Sequence, residues 1–194
     1  MKIKSVIALA LAGILSVGTA AAKPLVVYFS RADENYSVGN ITEGNTAIIA
    51  KMIASKTGAD IFEIKPVKPY PKSYKECTDV AKKEQKENAR PAIQKDTPDL
   101  SQYDRIFLGY PIWWGDLPMC VYTWLEENDL NGKTIVPFCT HEGSGLSGTP
   151  SSLAKKFKGA KVEQDALAVR GATAQNRRAE AEKAVDDWLK KNGF

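Results

Sequence analysis

Short apolar runs alternate with amphipathic or charged stretches along most of the chain. The run 25–29 is apolar throughout, which is typical of a strand buried on both faces of a sheet. The segment 60–64 instead alternates apolar and polar residues, which is the two-residue period of a strand. Patterns of these two kinds predict strands at 25–29, 60–64, 105–109, 134–139 and 162–169.

A helix is predicted after each strand, at 45–56, 72–89, 119–127, 151–157 and 177–191. In the last of these, Ala181, Val185 and Trp188 recur at the spacing of one helix face. Gly58 stands where the first helix should end, and the polar segment 30–43 is predicted to be a loop. Because strand and helix alternate, the sequence predicts an α/β fold, with a five-stranded parallel sheet, right-handed crossovers and helices on both faces.

The N-terminus has the pattern of a targeting segment. Lys2 and Lys4 precede an apolar stretch at 5–17, and small residues follow it. This order is typical of a cleaved secretory signal. A retained membrane anchor is not favoured, because the stretch is too short to span a bilayer as a lasting helix. We therefore expect residues 1–22 to be a signal peptide and residues 23–194 to form one exported, periplasmic domain with no stable membrane insertion.

Composition narrows the classes of function. The formal net charge of the whole chain is +4, and two of the lysines lie in the predicted signal, so nucleic acid or an anionic membrane is not indicated as a partner. Cys77, Cys120 and Cys139 lack metal-ligand spacing, and His141 is the sole histidine, so no metal site is predicted. Two of these cysteines could form a disulfide in an exported protein, which would leave one free thiol. The favoured interpretation is that all three serve as small apolar residues of the fold.

The ends of the strands are where a site is expected, since ligands of doubly wound sheets bind beyond carboxyl strand ends where the strand order reverses. After the first strand, Gly44, Asn45 and Thr46 lead straight into a helix. Free amides at a helix start, together with the helix dipole, bind anions, and the Thr46 hydroxyl can donate to a phosphate oxygen. The same residues are equally compatible with a plain helix cap.

An aromatic loop follows the third strand. It holds the adjacent Trp113 and Trp114, preceded by Pro111 and Ile112 and followed by Gly115. Two indoles are costly to expose, and a planar heteroaromatic ligand would use their flat faces. The alternative is that one or both pack into the core.

The loop after the fourth strand is rich in glycine and small polar residues. It runs through Thr140, His141, Glu142, Gly143, Ser144 and Gly145. Glycines leave backbone amides free to bond the edge of a ligand, although an ordinary flexible turn has the same composition. A phosphate end, an aromatic face and a polar edge together describe a mononucleotide with a large flat ring.

These residues resemble the flavodoxin family over the whole chain from residue 23. Ser30 and Arg31 at the end of the first strand, followed by 44–46, resemble the family's phosphate loop. The segment 110–115 resembles the loop that flanks the flavin, and 140–145 resembles the loop at its pyrimidine end. The resemblance implies a flavodoxin-like sheet of strand order 2-1-3-4-5. It also implies FMN as the cofactor and these three loops as its binding residues.

The chain also departs from the family pattern. An insertion separates Ser30 from Thr46, and Glu43 stands where a hydroxyl residue would normally face the phosphate. A carboxylate there is unfavourable unless it turns away or pairs with a cation such as Arg31. The third loop lacks the usual second aromatic, whose space His141 is expected to fill, and the chain is not acidic as electron-carrying flavodoxins are.

The first hypothesis for function is an FMN-binding redox protein that transfers electrons between partner proteins, with no catalytic acid or base of its own. The alternatives are an FMN-dependent reductase using a nicotinamide cofactor and a small acceptor such as a quinone, and a flavodoxin-like binding protein that has lost FMN. A hydrolase using Ser144 and His141 is disfavoured, because the sequence has no Gly-x-Ser-x-Gly elbow.

Overall fold

The computed structural model describes residues 22–194, so the predicted signal peptide at 1–22 lies outside the described residues except for Ala22. The main sheet is built from parallel strands. They are β1 (Leu25–Tyr28), β4 (Asp60–Glu63), β5 (Arg105–Pro111), β6 (Thr134–His141), β7 (Lys161–Val162) and β8 (Leu167–Arg170). A separate antiparallel hairpin consists of β2 (Asp33–Asn35) and β3 (Gly39–Ile41).

The strand order is β4-β1-β5-β6, with β7 and β8 both pairing along the outer edge of β6. All these pairs are parallel. The order 2-1-3-4-5 is therefore confirmed, with β7 and β8 together in the place of the fifth strand. After β1 the chain forms β4 on one side of it, and after β5, on its other side, the chain goes on to β6. The strand order therefore reverses between β1 and β5.

Helices cover both faces of the sheet, as predicted. They are α1 (Asn45–Thr57), α2 (Tyr74–Lys86), α3 (Met119–Glu127), α4 (Thr149–Lys156), α5 (Gly171–Asn176) and α6 (Arg178–Lys191). On one face, α1 and α6 pack against β1, β5 and β6 around Ile49, Phe107 and Trp188. On the other face, α3 and α4 pack around Trp124 and Leu153. Each face thus has its own buried apolar cluster.

The predicted loop at 30–43 is wrong in part, because it contains the β2–β3 hairpin. Its register pairs Asp33 with Ile41 and Asn35 with Gly39. Ser37 and Gly39 have φ of +65° and +70°, the left-handed backbone that short hairpin connections use. These strands have three residues each and a single large apolar residue, Ile41, so they carry no apolar alternation and the periodicity could not reveal them.

The predicted fifth strand at 162–169 is also wrong as one element, because it is split into β7 and β8. The intervening backbone turns out of the sheet: the Trp188 indole donates to the carbonyl of Asp165 (2.9 Å), and the Ala166 amide donates to the carbonyl of Gln164 (3.1 Å). A carbonyl that accepts from α6 is not part of the β6 ladder, so the pairing is interrupted there.

Two strands run further than predicted, and this matters for the site. β5 continues through Tyr110 and Pro111, and β6 continues through Thr140 and His141. Residues assigned to loops are thus held in the ladder at the carboxyl edge of the sheet. Short α5 was not predicted. No helix within 22–194 is long and apolar enough to cross a bilayer.

The three cysteines are buried and unpaired, which confirms their interpretation as small apolar residues of the fold. Burial raises the pKa of the Cys77 thiol to about 11 and that of Cys139 to about 12. Burial also raises the pKa of Cys120.

Candidate functional site

A cleft lies over the carboxyl ends of β1, β5 and β6, where the strand order reverses. Several predicted site residues line it: Arg31, Asn45, Pro111, Ile112, Trp113, Trp114, Thr140, His141 and Glu142. The other predicted site residues adjoin these in the chain but do not line the cleft: Ser30, Gly44, Thr46, Gly115, Gly143, Ser144 and Gly145. All three predicted loops therefore meet at one place.

The start of α1 is fixed against the end of β1. The Ala47 amide donates to Ser30 Oγ (3.0 Å). Gly44 precedes the helix with ordinary extended backbone, but a Cβ there would lie 2.2 Å from Ser30 Oγ and 2.6 Å from the Arg31 carbonyl oxygen. The amides of Asn45 and Thr46 belong to the first turn, where no intrahelical acceptor exists, and neither donates to another residue within 22–194.

The Thr46 side chain does not face the cleft. It is buried, and its hydroxyl shares a hydrogen bond of 2.8 Å with the hydroxyl of Thr140, which is also buried. The side chain expected to donate to a phosphate therefore joins the first loop to the third. Of this residue, only the backbone amide has no hydrogen-bond partner among residues 22–194.

Glu43 turns away from the cleft and is paired with cations other than Arg31. Its carboxylate lies 2.6 Å from Lys51 Nζ and 3.4 Å from an Arg178 guanidinium nitrogen, and the hydrogen bond from Lys51 is the main cause of its lowered pKa. The suggested pairing of Glu43 with Arg31 is therefore wrong. The Arg31 guanidinium instead donates to the carbonyls of Glu34 (2.6 Å) and Pro71 (2.9 Å), since these backbone oxygens surround it.

The aromatic loop closes in a tight turn from Trp113 to Asp116. The Trp113 amide donates to the Asp116 carbonyl (2.9 Å), and the Asp116 amide donates back (3.1 Å). Between them, Trp114 and Gly115 have φ of +51° and +80°. Glycine accepts this backbone freely, but a bulky aromatic residue rarely does. Such strain at a cleft is a feature of binding sites.

The two tryptophans have different surroundings. Trp113 is partly buried and packs edge-on against Phe29 and Tyr70, with ring centroids 5.5 and 4.9 Å away. The Trp114 side chain is 52% exposed. Its indole N–H donates to the Thr78 carbonyl on α2 (2.9 Å). The Trp113 indole is thus packed against aromatic residues of the core. The Trp114 indole lies at the border of the cleft, where its N–H is hydrogen-bonded to α2.

His141 organises the third loop. Its Nδ1 accepts hydrogen bonds from the amides of Gly143 (2.9 Å) and Gly145 (3.1 Å). These two amides are therefore not free for a ligand, contrary to the expectation from the glycine content. Because Nδ1 is the acceptor, the neutral ring carries its proton on Nε2, and Nδ1 cannot serve as a base toward Ser144. Burial lowers the pKa of His141, and the charge of Arg170 lowers it further.

Glu142 connects the third loop to α5. Its carboxylate accepts from the Ala172 amide (2.8 Å). Gly171 allows this approach, since a Cβ there would lie 2.6 Å from the same carboxylate and 2.1 Å from the Asn45 side-chain amide nitrogen. Partial burial raises the pKa of Glu142.

Part of the cleft wall was missed from the sequence. It comes from the β2–β3 hairpin and from one face of α2: Asn35, Tyr36, Tyr74, Cys77, Thr78 and Ala81. The hairpin could have been linked to the cleft from its place in the chain. It lies in the insertion after β1, and ligands of such sheets bind at the end of this strand. The helical pattern of α2 gave no such signal, because it does not say which strand ends the helix covers.

The comparisons with known proteins agree on one family. The sequence model described as flavodoxin matches residues 23–191. No curated protein sequence matches the chain. Among solved structures, a protein from Bacteroides eggerthii DSM 20697 assigned to the flavoproteins is 29% identical, with a TM-score of 0.65; the match covers 87% of this chain and 96% of that one.

Two other solved structures give the same fold. One, from Bacteroides uniformis ATCC 8492 and also assigned to the flavoproteins, is 28% identical, with a TM-score of 0.67 and coverage of 88% of this chain and 99% of that one. The other is a flavoprotein in complex with FMN from Lactobacillus acidophilus NCFM. It is 23% identical, with a TM-score of 0.63 and coverage of 87% and 99%.

We predict that the stability of the third loop depends on the protonation of His141. Its pKa in the folded protein lies below the usual value, so the unfolded chain binds the proton more readily. The free energy of unfolding is therefore highest above the usual histidine pKa and falls as the pH drops toward the folded pKa. Protonated Nδ1 would also lose its bonds from Gly143 and Gly145. NMR titration of the sole imidazole and urea unfolding across this pH range measure both effects.

The matched control is Arg170→Gln, which removes one of the two causes of the shift. The pKa of His141 should rise in this variant. A wild-type pKa at or above the usual histidine value would contradict the acceptor role of Nδ1.

Proposed function

Because the chain belongs to the flavodoxin family, we propose that it binds FMN in this cleft and uses it to transfer electrons between redox partners. The resemblance drawn from the sequence is confirmed by the family match. One observation carries the proposal. The start of α1, with its free amides, and the aromatic turn both border the same cleft, which lies where the strand order of the sheet reverses. The similar Lactobacillus acidophilus flavoprotein is itself an FMN complex.

The phosphate end of FMN fits the start of α1. The amides of Asn45 and Thr46 are free, and the helix dipole favours an anion there. Arg31 lines the cleft and adds a positive charge. Glu43, the residue that opposed this assignment, is neutralised by Lys51 and Arg178 on the far side of the loop.

The flat ring fits the aromatic turn. Trp113 and Trp114 line the cleft with Ile112, so the wall at the end of β5 is apolar. An indole face stabilises a planar heteroaromatic ring by stacking and by removing it from water. The third loop supplies the polar edge, where His141 and Glu142 line the cleft.

Bound FMN would supply the redox chemistry, since it takes up and releases electrons in its ring. The residues of the chain bind it, orient it and tune it. Arg170 lies beside His141 and Glu142 and lowers the pKa of both, the Glu142 pKa against the opposing effect of burial. The positive charge of Arg170 at this edge of the cleft stabilises a ligand that gains negative charge on reduction. His141 Nδ1 is not available for proton abstraction from a substrate, because it already accepts from the amides of Gly143 and Gly145.

The first form of this proposal is a carrier between partner proteins, and the second is a reductase for a small acceptor with a nicotinamide donor. One observation favours the second. The hairpin and α2 form one wall of the cleft, and their side chains Tyr36 and Tyr74 are exposed to solvent there. Exposed aromatic surface beside the cleft suits the binding of a small planar acceptor. Oxidation of a nicotinamide cofactor by the FMN-loaded protein separates the two forms.

We also propose that the protein acts in the periplasm after its signal is removed. The support is the order of charged, apolar and small residues within 1–22. N-terminal sequencing of the protein from a periplasmic fraction should give a chain that begins at Lys23. Recovery of the intact N-terminus in the cytoplasmic fraction would contradict the proposal.

We predict that the protein binds FMN more tightly than riboflavin. The two ligands share the ring, so the difference in affinity measures the anion site at Asn45 and Thr46. Charge-assisted hydrogen bonds contribute about 1.5–3 kcal/mol each. Absorption and fluorescence titration of the mature protein gives both dissociation constants. Equal affinities for the two ligands would contradict the phosphate site. If the protein binds neither ligand, the alternative of a binding protein that has lost FMN is favoured.

We predict that replacing Trp114 and replacing Trp113 by alanine have different effects. Trp114 is exposed, so its loss should weaken FMN binding and restore flavin fluorescence with little effect on the apoprotein. Trp113 is partly buried and packs against Phe29 and Tyr70, so its loss should lower the free energy of unfolding by roughly 1–3 kcal/mol. Flavin emission and urea unfolding of each variant measure the two effects. If both variants keep the wild-type affinity and quenching, the aromatic turn is purely structural.

A further inference from the structure

The aromatic turn holds a backbone conformation that is costly for its sequence. Trp114 has a φ of +51°, which a bulky aromatic residue rarely adopts, and Gly115 follows with a φ of +80°. Strained backbone of this kind persists only where the surrounding contacts over-determine it. The contacts that fix the turn are therefore the ones that place its indoles at the cleft.

The Asp116 carboxylate fixes the end of the turn. Its Oδ1 accepts from the Leu117 amide (2.8 Å) and from the hydroxyl of Tyr122 on α3 (2.9 Å). The backbone of Asp116 also exchanges two hydrogen bonds with Trp113 across the turn. One carboxylate oxygen thus connects the strained turn to α3, a helix that is buried over its first seven residues.

Tyr122 is placed to act as a permanent hydrogen-bond donor to this carboxylate. The residue is buried, with 7% of its surface exposed. Burial is the main cause that raises the pKa of Tyr122, and the charge of Asp116 raises it further. The phenol therefore keeps its proton, and a protonated phenol beside a carboxylate donates to it.

Cations from two other parts of the chain hold the Tyr122 ring. Lys156 Nζ, on α4, lies 4.5 Å from the ring centre, and the Arg90 guanidinium carbon lies 5.4 Å from it. Both cations also pair with Glu126 on α3, at 2.7 and 2.6 Å. The hydrogen bond from Arg90 is the main cause that lowers the pKa of Glu126 to about 2. Tyr122 is thus a rigid support, fixed by residues that do not line the cleft.

We propose that Tyr122 is a positioning residue for the flavin ring, because its hydrogen bond to Asp116 holds the aromatic turn in the shape that binds the ring; this rests on the FMN binding proposed above. Neither residue lines the cleft, so the effect acts through Trp113 and Trp114. Without this bond the turn can leave its strained backbone in the free protein, and binding then has to restore it. The apparent dissociation constant should therefore rise by the same factor for every ligand that carries the ring.

The test compares two tyrosines that make the same kind of hydrogen bond at opposite ends of the sheet. Tyr103 is also 7% exposed, and its hydroxyl donates to the Asp60 carboxylate at the same distance of 2.9 Å. Asp60 is the first residue of β4, whereas the cleft lies over the carboxyl ends of the strands. Tyr122→Phe and Tyr103→Phe each keep the ring and remove one hydroxyl, so Tyr103→Phe is the matched control.

The first readout is the affinity of each variant of the mature chain for FMN and for riboflavin, measured by fluorescence titration. Tyr122→Phe should weaken the binding of both ligands by roughly 3- to 10-fold and leave the bound flavin less quenched. The ratio of the two constants should stay at the wild-type value, because the phosphate end is unchanged. Tyr103→Phe should leave both constants unchanged. In an Asp116→Ala background, Tyr122→Phe should cause no further loss, because its acceptor is already absent.

The second readout needs no flavin. Amide hydrogen exchange in the apoprotein reports on the two backbone bonds between Trp113 and Asp116, and both amides should exchange faster in Tyr122→Phe than in Tyr103→Phe. Unchanged flavin affinity in Tyr122→Phe, or an equal loss in Tyr103→Phe, overturns the proposal. So does unchanged exchange at both amides of the turn. If the wild-type protein binds neither flavin, the proposed function has failed first, and the exchange rates still show whether Tyr122 holds the turn, so the two failures are distinguished.

Discussion

The contact between Gly44 and the chain that leaves β1 is the constraint on which the site depends. A side chain at this position would collide with Ser30 Oγ and the Arg31 carbonyl, so only glycine lets α1 begin against the strand end. The Ser30 hydroxyl then accepts from the Ala47 amide, which leaves the amides of Asn45 and Thr46 as the free donors of the first turn. The position and direction of the proposed anion site both follow from this one close approach.

Polar contacts between loops make the three strand ends a single surface. Thr46 and Thr140 join the first loop to the third through their buried hydroxyls. Glu142 and Gly171 bring α5 against Asn45. No buried side-chain nitrogen or oxygen within residues 22–194 lacks a hydrogen-bond partner. The cleft is therefore bordered by groups whose positions are set by one another, which is the condition for binding a ligand without first ordering the site.

The sequence predicted what depends on local pattern and missed what depends on packing. The period of apolar residues located the main strands and helices, and the resemblance supplied their order. Periodicity could not reveal the short polar strands around Tyr36, nor that α2 would lie over the cleft. The role of the Thr46 hydroxyl and the availability of the Gly143 and Gly145 amides were mistaken for a related reason. Composition shows that a hydroxyl or a glycine amide is present, but only the folded backbone determines whether another residue has already bonded it.

The buried thiols have a consequence for how the chain behaves in an oxidising compartment. Disulfide exchange requires a thiolate that can be reached by another sulfur. Burial raises the pKa of Cys77, Cys120 and Cys139, and none of the three is paired in a disulfide. The thiols of the folded domain are thus protected from disulfide exchange, and a reactive thiol becomes exposed only while the chain is unfolded. Folding of the apolar cluster that holds Cys120 and Cys139, and of α2 with its buried Cys77, is therefore what removes these thiols from disulfide exchange.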